Sequence, residues 1–281
     1  MRDIRLIALD LDGTLLDSEK RLSETNRAAL ERAASEGIHI VPTTGRFYNA
    51  MPDVIRSLPF VRYAILINGA CVLDTETDKV LYRAEMKWDH ALKIMEHLDT
   101  LDVIYDCFMD NRAWMTRALK EKIDEFAPNE HYRKMLHELR EPVDELKAFV
   151  REKKHSVQKI QFFFRDPSLR EELIRDLSER FPDEAFTSAV SNNIEINHKN
   201  ANKGNAVRRL SRKLGFGPAQ VMSFGDGLND LPMIICAGLG VAMDNASDYV
   251  KSRADYVTDT CDNDGVAQAI SHFLWENRTD G

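Results

Sequence analysis

A short, almost unbroken apolar run at residues 4–9 (Ile4, Leu6, Ile7, Ala8, Leu9) stops at Asp10, and Asp12, Gly13 and Thr14 follow at once. A run this short and without alternation suits a β-strand covered on both faces, as in the parallel sheet of an α/β fold. Asp10 and Asp12 then emerge at the carboxyl edge of that strand, where open α/β sheets form their ligand crevices. Two like charges this close are costly unless a cation or a shared proton offsets them, so the pair points to chemistry more than to packing.

The same arrangement recurs along the chain. Ser23 can cap a helix reaching residue 35 or 36, with Ala29, Leu30, Ala33 and Ala34 on one face and Gly37 as its stop. The run 38–41 then ends in Thr43, Thr44, Gly45 and Arg46, and the run 63–67 ends in Asn68 and Gly69. Toward the other end, Lys203 opens a helix with Ala206, Val207, Leu210 and Leu214 in register and Gly215 past its end. The apolar residues 221–224 follow and lead into Gly225-Asp226-Gly227-Leu228-Asn229-Asp230. Strands at 239–243 and 256–258 and a closing helix at 266–274 complete a βαβ series.

Between these halves the pattern changes. Segments 91–98, 103–108, 113–115, 160–164 and 169–177 read as helices and strands whose ends carry no acidic motif, which predicts an inserted domain. The expected division is 1–82 with 191–281 for the core and 83–190 for the insert. Residues 117–155 are dense in charge at helical spacing and read as solvated helix surface, broken at Pro128 and Pro142. Trp88, Tyr105, Trp114, His131, Tyr132 and the segment 188–193 offer aromatic and polar groups without a readable code.

With 281 residues and 43% apolar content, the chain can bury one large core or two smaller ones. A formal net charge of −8 gives no basic footprint for nucleic acid. Cys71, Cys107, Cys236 and Cys261 are scattered with no C-x-x-C pair, which fits reduced thiols. Arg5 and Asp10 interrupt the apolar stretch at the N-terminus, and no segment approaches the length of a membrane span. The expectation is a cytoplasmic protein, a monomer or weak homodimer, with neither nucleic acid nor membrane as a partner.

Five parts now stand together: Asp10 with Asp12, Thr44 with Gly45, the Asn68 turn, Lys203, and Asp226 with Asp230. Each has a use in phosphoryl transfer. Carboxylates can hold a hard divalent ion, a hydroxyl and backbone amides can hold phosphate oxygens, and Lys203 adds a compact positive charge. A calcium-binding loop begun at Asp10 would need Glu at its twelfth position, where this chain has Arg21.

At these residues the chain resembles the haloacid dehalogenase superfamily of phosphohydrolases, whose D-x-D-G-T signature is matched by Asp10-Leu11-Asp12-Gly13-Thr14. Thr44-Gly45-Arg46, Lys203-Gly204, Gly225 to Asp230 and Met243-Asp244-Asn245-Ala246 resemble its Cof-type subgroup, and the insert has the size and place of that group's α/β cap. The resemblance implies a Rossmann-like parallel sheet core and a Mg2+-dependent phosphatase acting on a small phosphorylated metabolite such as a sugar phosphate. Asp10 would be the nucleophile, forming an aspartyl phosphate. Asp12 would carry the proton, its protonated form favoured by the adjacent negative charge, and would turn a backbone carbonyl to the metal. Asp10, Asp12, Asp226 and Asp230 would hold Mg2+. Leu11, Thr44, Gly45, Lys203 and Asn229 would bind the phosphoryl group, with Arg46 and Asn68 near the substrate, while the cap closes over it and selects it. Two alternatives remain: a phosphomutase-type transfer to a sugar hydroxyl, and a non-catalytic phosphometabolite-binding protein, the latter disfavoured because both Asp10 and Asp12 are present.

Overall fold

The computed structural model describes residues 3–188 and 190–276. Strand β1 (Leu6–Leu9) is buried at every residue, as its unbroken apolar sequence requires. Helix α1 (Glu24–Ser35) starts at Ser23, whose hydroxyl accepts from the Asn26 amide at 3.0 Å, and Gly37 follows it with φ +83°. Then come β2 (His39–Pro42), the single turn α2 (Asp53–Arg56) and three strands, β3 (Tyr63–Leu66), β4 (Cys71–Asp74) and β5 (Lys79–Arg83).

The insert begins with α3 (Trp88–Leu98), β6 (Val103–Met109) and β7 (Arg112–Thr116). Helices α4 (Arg117–Lys120), α5 (Ile123–Phe126) and α6 (Glu130–Leu139) lead to β8 (Arg140–Val143) and α7 (Leu146–Lys153). Strand β9 (Lys159–Phe164), helix α8 (Arg170–Arg180) and strands β10 (Glu184–Thr187) and β11 (Asn193–His198) close it. The chain returns through α9 (Lys203–Lys213), β12 (Val221–Gly225), α10 (Leu231–Cys236), β13 (Leu239–Ala242), α11 (Asp248–Lys251), β14 (Tyr256–Val257) and α12 (Gly265–Leu274).

The chain divides into two compact units, one of residues up to Arg83 and from Asn202 on, the other Ala84–Ala201. The first holds a five-stranded sheet in the order β14-β13-β12-β1-β2, every pair parallel. Leu6 pairs with Val221 on one side and His39 on the other, which places β1 between β12 and β2. Strand β3 joins the end of β2 through a parallel bridge from Thr43 to Ile65 and forms an antiparallel sheet with β4 and β5. Leu6, Ala8, Val41 and Val221 pack with Ala206, Val207 and Leu210 of α9 in one apolar cluster.

The second unit is a six-stranded sheet, order β10-β11-β9-β6-β7-β8. Its cluster of Tyr105, Cys107, Ile160, Phe162 and Ile194 packs on Leu92, Val150 and Leu177 from α3, α7 and α8. The division falls between residues 201 and 202, not at the expected 190 and 191, because β11 pairs with β9 and belongs to this sheet. Residues 277–281 of the expected core segment lie outside the described residues. Pro128 does separate α5 from α6, whereas Pro142 sits in β8 at the sheet edge, where a missing amide is tolerated. Among the described residues no helix is long and apolar enough to cross a membrane.

Candidate active site

Asp10 directly follows β1, and its amide donates to the Phe224 carbonyl of β12 at 3.1 Å. Because Leu9 pairs with Phe224, the loops carrying Asp10 and Asp226 leave the sheet side by side at its carboxyl edge. Their approach demands glycine. Gly13 has φ +84°, and a Cβ there would stand 2.6 Å from Asp226 Oδ2; a Cβ on Gly225 would stand 2.3 Å from the Asp230 Cβ. One carboxylate oxygen from each of Asp10, Asp226 and Asp230 lies within 4.8 Å of the others. Thr14 Oγ1 donates to Asp226 Oδ1 at 3.0 Å and fixes that side chain.

Lys203 is the first residue of α9 and is fully buried, its Nζ lying 2.5 Å from both Asp10 Oδ1 and Asp230 Oδ1. Asn202 caps the helix by accepting from the Asn205 amide, and its carbonyl would stand 2.4 Å from a Cβ on Gly69 (φ +94°). The other Asp230 oxygen accepts from the amides of Asp226 and Gly227 at 3.0 and 2.9 Å.

Burial pushes Asp10 up to about 8, with Lys203 opposing and Asp230 adding to the rise. Asp226 is pushed up to about 6 by burial and by Asp230, against the hydrogen bond from Thr14. Burial alone would depress Lys203, but the Asp10 and Asp230 carboxylates hold it above its ordinary value. Three carboxylates share a single ammonium, so the cluster is short of positive charge. An all-oxygen donor set of this kind fits a hard divalent cation.

Asp12 corrects an expectation. Its carboxylate is not part of the cluster but pairs with the Arg46 guanidinium in two-pronged fashion, at 2.8 and 2.9 Å, with Lys20 Nζ 3.0 Å away. Burial would raise it; the Arg46 and Lys20 contacts outweigh burial and hold it below the usual carboxylate value. The neighbouring negative charge therefore does not keep a proton on Asp12, whose carboxylate stands apart from the cluster of Asp10, Asp226 and Asp230.

Thr44, Gly45, Arg46, Asn68 and Asn229 form a connected strip. Thr44 is buried, its amide donates to the Ile65 carbonyl at 2.9 Å, and its hydroxyl accepts from the Arg46 amide at 3.2 Å. The Asn68 amide donates to the Thr44 carbonyl at 3.0 Å, and Asn68 Oδ1 accepts from Asn229 Nδ2 at 3.3 Å. A Cβ on Gly45 would stand 3.0 Å from Asn68 Oδ1, so Gly45 brings its backbone close to that side chain. Leu11 is fully buried and its carbonyl accepts from the Leu16 amide at 2.9 Å.

Sequence reasoning gave no role to Thr14, Lys20 or Asn245. Asn245 Nδ2 donates to the Gly13 carbonyl at 2.8 Å and its Oδ1 accepts from the Cys261 amide, tying the late loop to the first one. Thr14 and Asn245 stand inside motifs read from the sequence; Lys20 carries no local signal. In the insert, Tyr105 and Trp114 pack with its core, and Asn192 donates to the Phe126 and Phe164 carbonyls. Ala189, within the segment 188–193, lies outside the described residues.

A family profile described as haloacid dehalogenase-like hydrolase matches residues 7–270. The chain belongs to this family. It is 33% identical over 278 residues to the 5-amino-6-(5-phospho-D-ribitylamino)uracil phosphatase YcsE of Bacillus subtilis, covering 97% of this chain and 96% of that one. It is 30% identical to phosphatase YwpJ of the same organism, covering 96% of this chain and all of the relative. Among solved structures, a haloacid dehalogenase-like hydrolase from B. subtilis superposes with a TM-score of 0.81 at 29% identity, covering 96% of this chain and 100% of that one. The phosphatase BT1666 from Bacteroides thetaiotaomicron gives 0.80 at 28% identity, covering 96% and 95%. These relatives make the chain a Cof-type phosphatase, a phosphoric monoester hydrolase.

Proposed function

We propose that this phosphatase hydrolyses a small phosphorylated metabolite, such as a sugar phosphate, through an aspartyl phosphate on Asp10, with Mg2+ as its metal. The carrying observation is the set of buried Asp10 and Asp230 with half-buried Asp226 around Lys203 at the carboxyl edge of the parallel sheet. YcsE, by its name, acts on a small phosphorylated compound, which supports that substrate class.

A carboxylate oxygen of Asp10 attacks phosphorus, the bond from phosphorus to the substrate's ester oxygen breaks, and Asp12 delivers a proton to the leaving oxygen. Water then attacks phosphorus in the aspartyl phosphate and passes a proton to Asp12; orthophosphate leaves and Asp10 is restored. Lys203 steadies the ionised Asp10 and offsets charge on the phosphoryl oxygens. Thr44, Asn229 and the backbone at Leu11 and Gly45 donate to those oxygens. Asp10, Asp226, Asp230 and the Asp12 carbonyl would hold Mg2+, which would supply the positive charge that the cluster lacks. Asp12 is ionised while Arg46 and Lys20 hold it, so its work as a proton carrier needs that pair to open, which frees Arg46 for the ester alongside Asn68.

Purified protein with Mg2+ should release phosphate from a general aryl phosphate and from sugar phosphates, and chelation should stop it. Release without isomerised sugar phosphate separates hydrolysis from transfer to a sugar. Asp10→Asn should lower turnover at least about 10³-fold; full activity in that variant sinks the mechanism.

A further inference from the structure

The turn after β3 holds a strained backbone. Ile67, Asn68 and Gly69 follow one another with φ of +52°, +53° and +94°. Glycine takes such angles freely and asparagine tolerates them, but a β-branched residue there is an outlier. Strain of this kind persists only where the surroundings impose it, and it gathers at functional sites.

The surroundings here are the three elements that bear Thr44, Lys203 and Asn229. The amides of Ile67 and Asn68 donate to the carbonyls of Arg46 and Thr44 at 3.1 and 3.0 Å. A Cβ on Gly69 would stand 2.4 Å from the carbonyl oxygen of Asn202, the residue before Lys203. Asn68 itself is buried, and its Oδ1 accepts from Asn229 Nδ2 at 3.3 Å. Gly45 approaches the same oxygen closely enough that a Cβ would stand 3.0 Å from it. One buried amide oxygen therefore stands between the loop of Thr44 and Gly45 and the loop of Asn229.

Asn229 has need of such a partner, because it is exposed. An amide can turn either its nitrogen or its oxygen to a ligand, and only the nitrogen donates to a phosphoryl oxygen. Here Asn229 Oδ1 is turned to Gly227, where an added Cβ would stand 2.5 Å from it, and Nδ2 is turned to Asn68. The nitrogen carries two hydrogens, so one can donate to Asn68 while the other donates to a phosphoryl oxygen. We propose that Asn68 is a positioning residue, its side-chain oxygen fixing the Asn229 amide with the nitrogen toward the phosphoryl group. The strained turn at Ile67 is what places that oxygen. The assignment rests on the phosphatase reading for the ester, and its geometry lies wholly within the unit that holds the parallel sheet.

The test reads the cost of Asn229→Ala in kcat/KM for a phosphate ester, measured in three backgrounds. In the wild-type chain the loss should be about tenfold, the worth of one hydrogen bond to a charged group. Asn68→Gly suits the backbone at φ +53° but lacks the acceptor. Its kcat/KM should already be down about tenfold, and Asn229→Ala should then cost about twofold or less. Asn68→Asp keeps an acceptor and tolerates the same φ, so the cost of Asn229→Ala should return to about tenfold. The added charge acts with and without Asn229 and cancels from that comparison. Asn68→Ala is a second chain without the acceptor and should behave as Asn68→Gly does, so either folded variant decides. A merely structural Asn68 would leave the cost of Asn229→Ala equal in every background, and that result overturns the proposal, as does an unchanged kcat/KM in Asn68→Gly. Should the wild type release no phosphate, the phosphatase reading fails separately, and the same comparison is made on the Kd for orthophosphate by calorimetric titration. A cost of Asn229→Ala that shrinks only where the acceptor is missing supports the proposal; equal costs or absent binding overturn it.

Discussion

Asp10 and Asp12 stand two positions apart and meet opposite surroundings: one is buried against two further carboxylates and a lysine, the other is clasped by Arg46 and Lys20. Proton transfer from Asp12 matters most when the departing alkoxide is a poor leaving group. Asp12→Asn should therefore slow hydrolysis of an alkyl phosphate by about 10²–10⁴-fold and that of an activated aryl phosphate much less. A series of esters graded by leaving-group pKa reads this as a steeper dependence in the variant. The identity of these residues was legible because their motifs end apolar strands. Their protonation was not, because Arg46 and Lys20 reach Asp12 only once the chain is folded, and the neighbouring charge that favours a proton is outweighed by two cations.

At the scale of elements, the strands that carry the site were readable from their unbroken apolar runs, whereas β8 and β11 were not. Both place charged or amide residues inward, Arg140 in one and Asn193, Glu195 and Asn197 in the other, which masks the alternation that marks a half-buried strand. The turn between β1 and α1 depends on Gly13. Gly13→Ala should cost roughly 1–2 kcal/mol through its positive φ alone, and it also drives the new methyl into the Asp226 carboxylate. Denaturant unfolding should show the first effect, and a higher Mg2+ concentration for half-maximal activity should show the second. In β10, burial and Asp183 push Glu184 up to about 7, with Lys199 opposing; His90 Nε2 lies 3.0 Å from its carboxylate. A carboxyl whose folded value is raised gives its full stability below the ordinary carboxylate range and loses it as pH rises through about 7. The melting temperature should fall further between about pH 5 and about pH 8 in the wild type than in Glu184→Gln.

For the whole molecule, the parallel core and the presence of an insert followed from where acidic motifs did and did not end apolar runs. The far boundary at residues 201 and 202 needed the pairing of β11 with β9, a contact between segments distant in sequence that leaves no local mark. The central claim is that chemistry passes through a covalent phosphate on Asp10. Turnover quenched in the steady state, reduced with borohydride and mapped by mass spectrometry tests it directly. The account predicts conversion of Asp10 to homoserine, dependent on both substrate and Mg2+; Asp10 recovered unmodified while another carboxylate carries the label would contradict it.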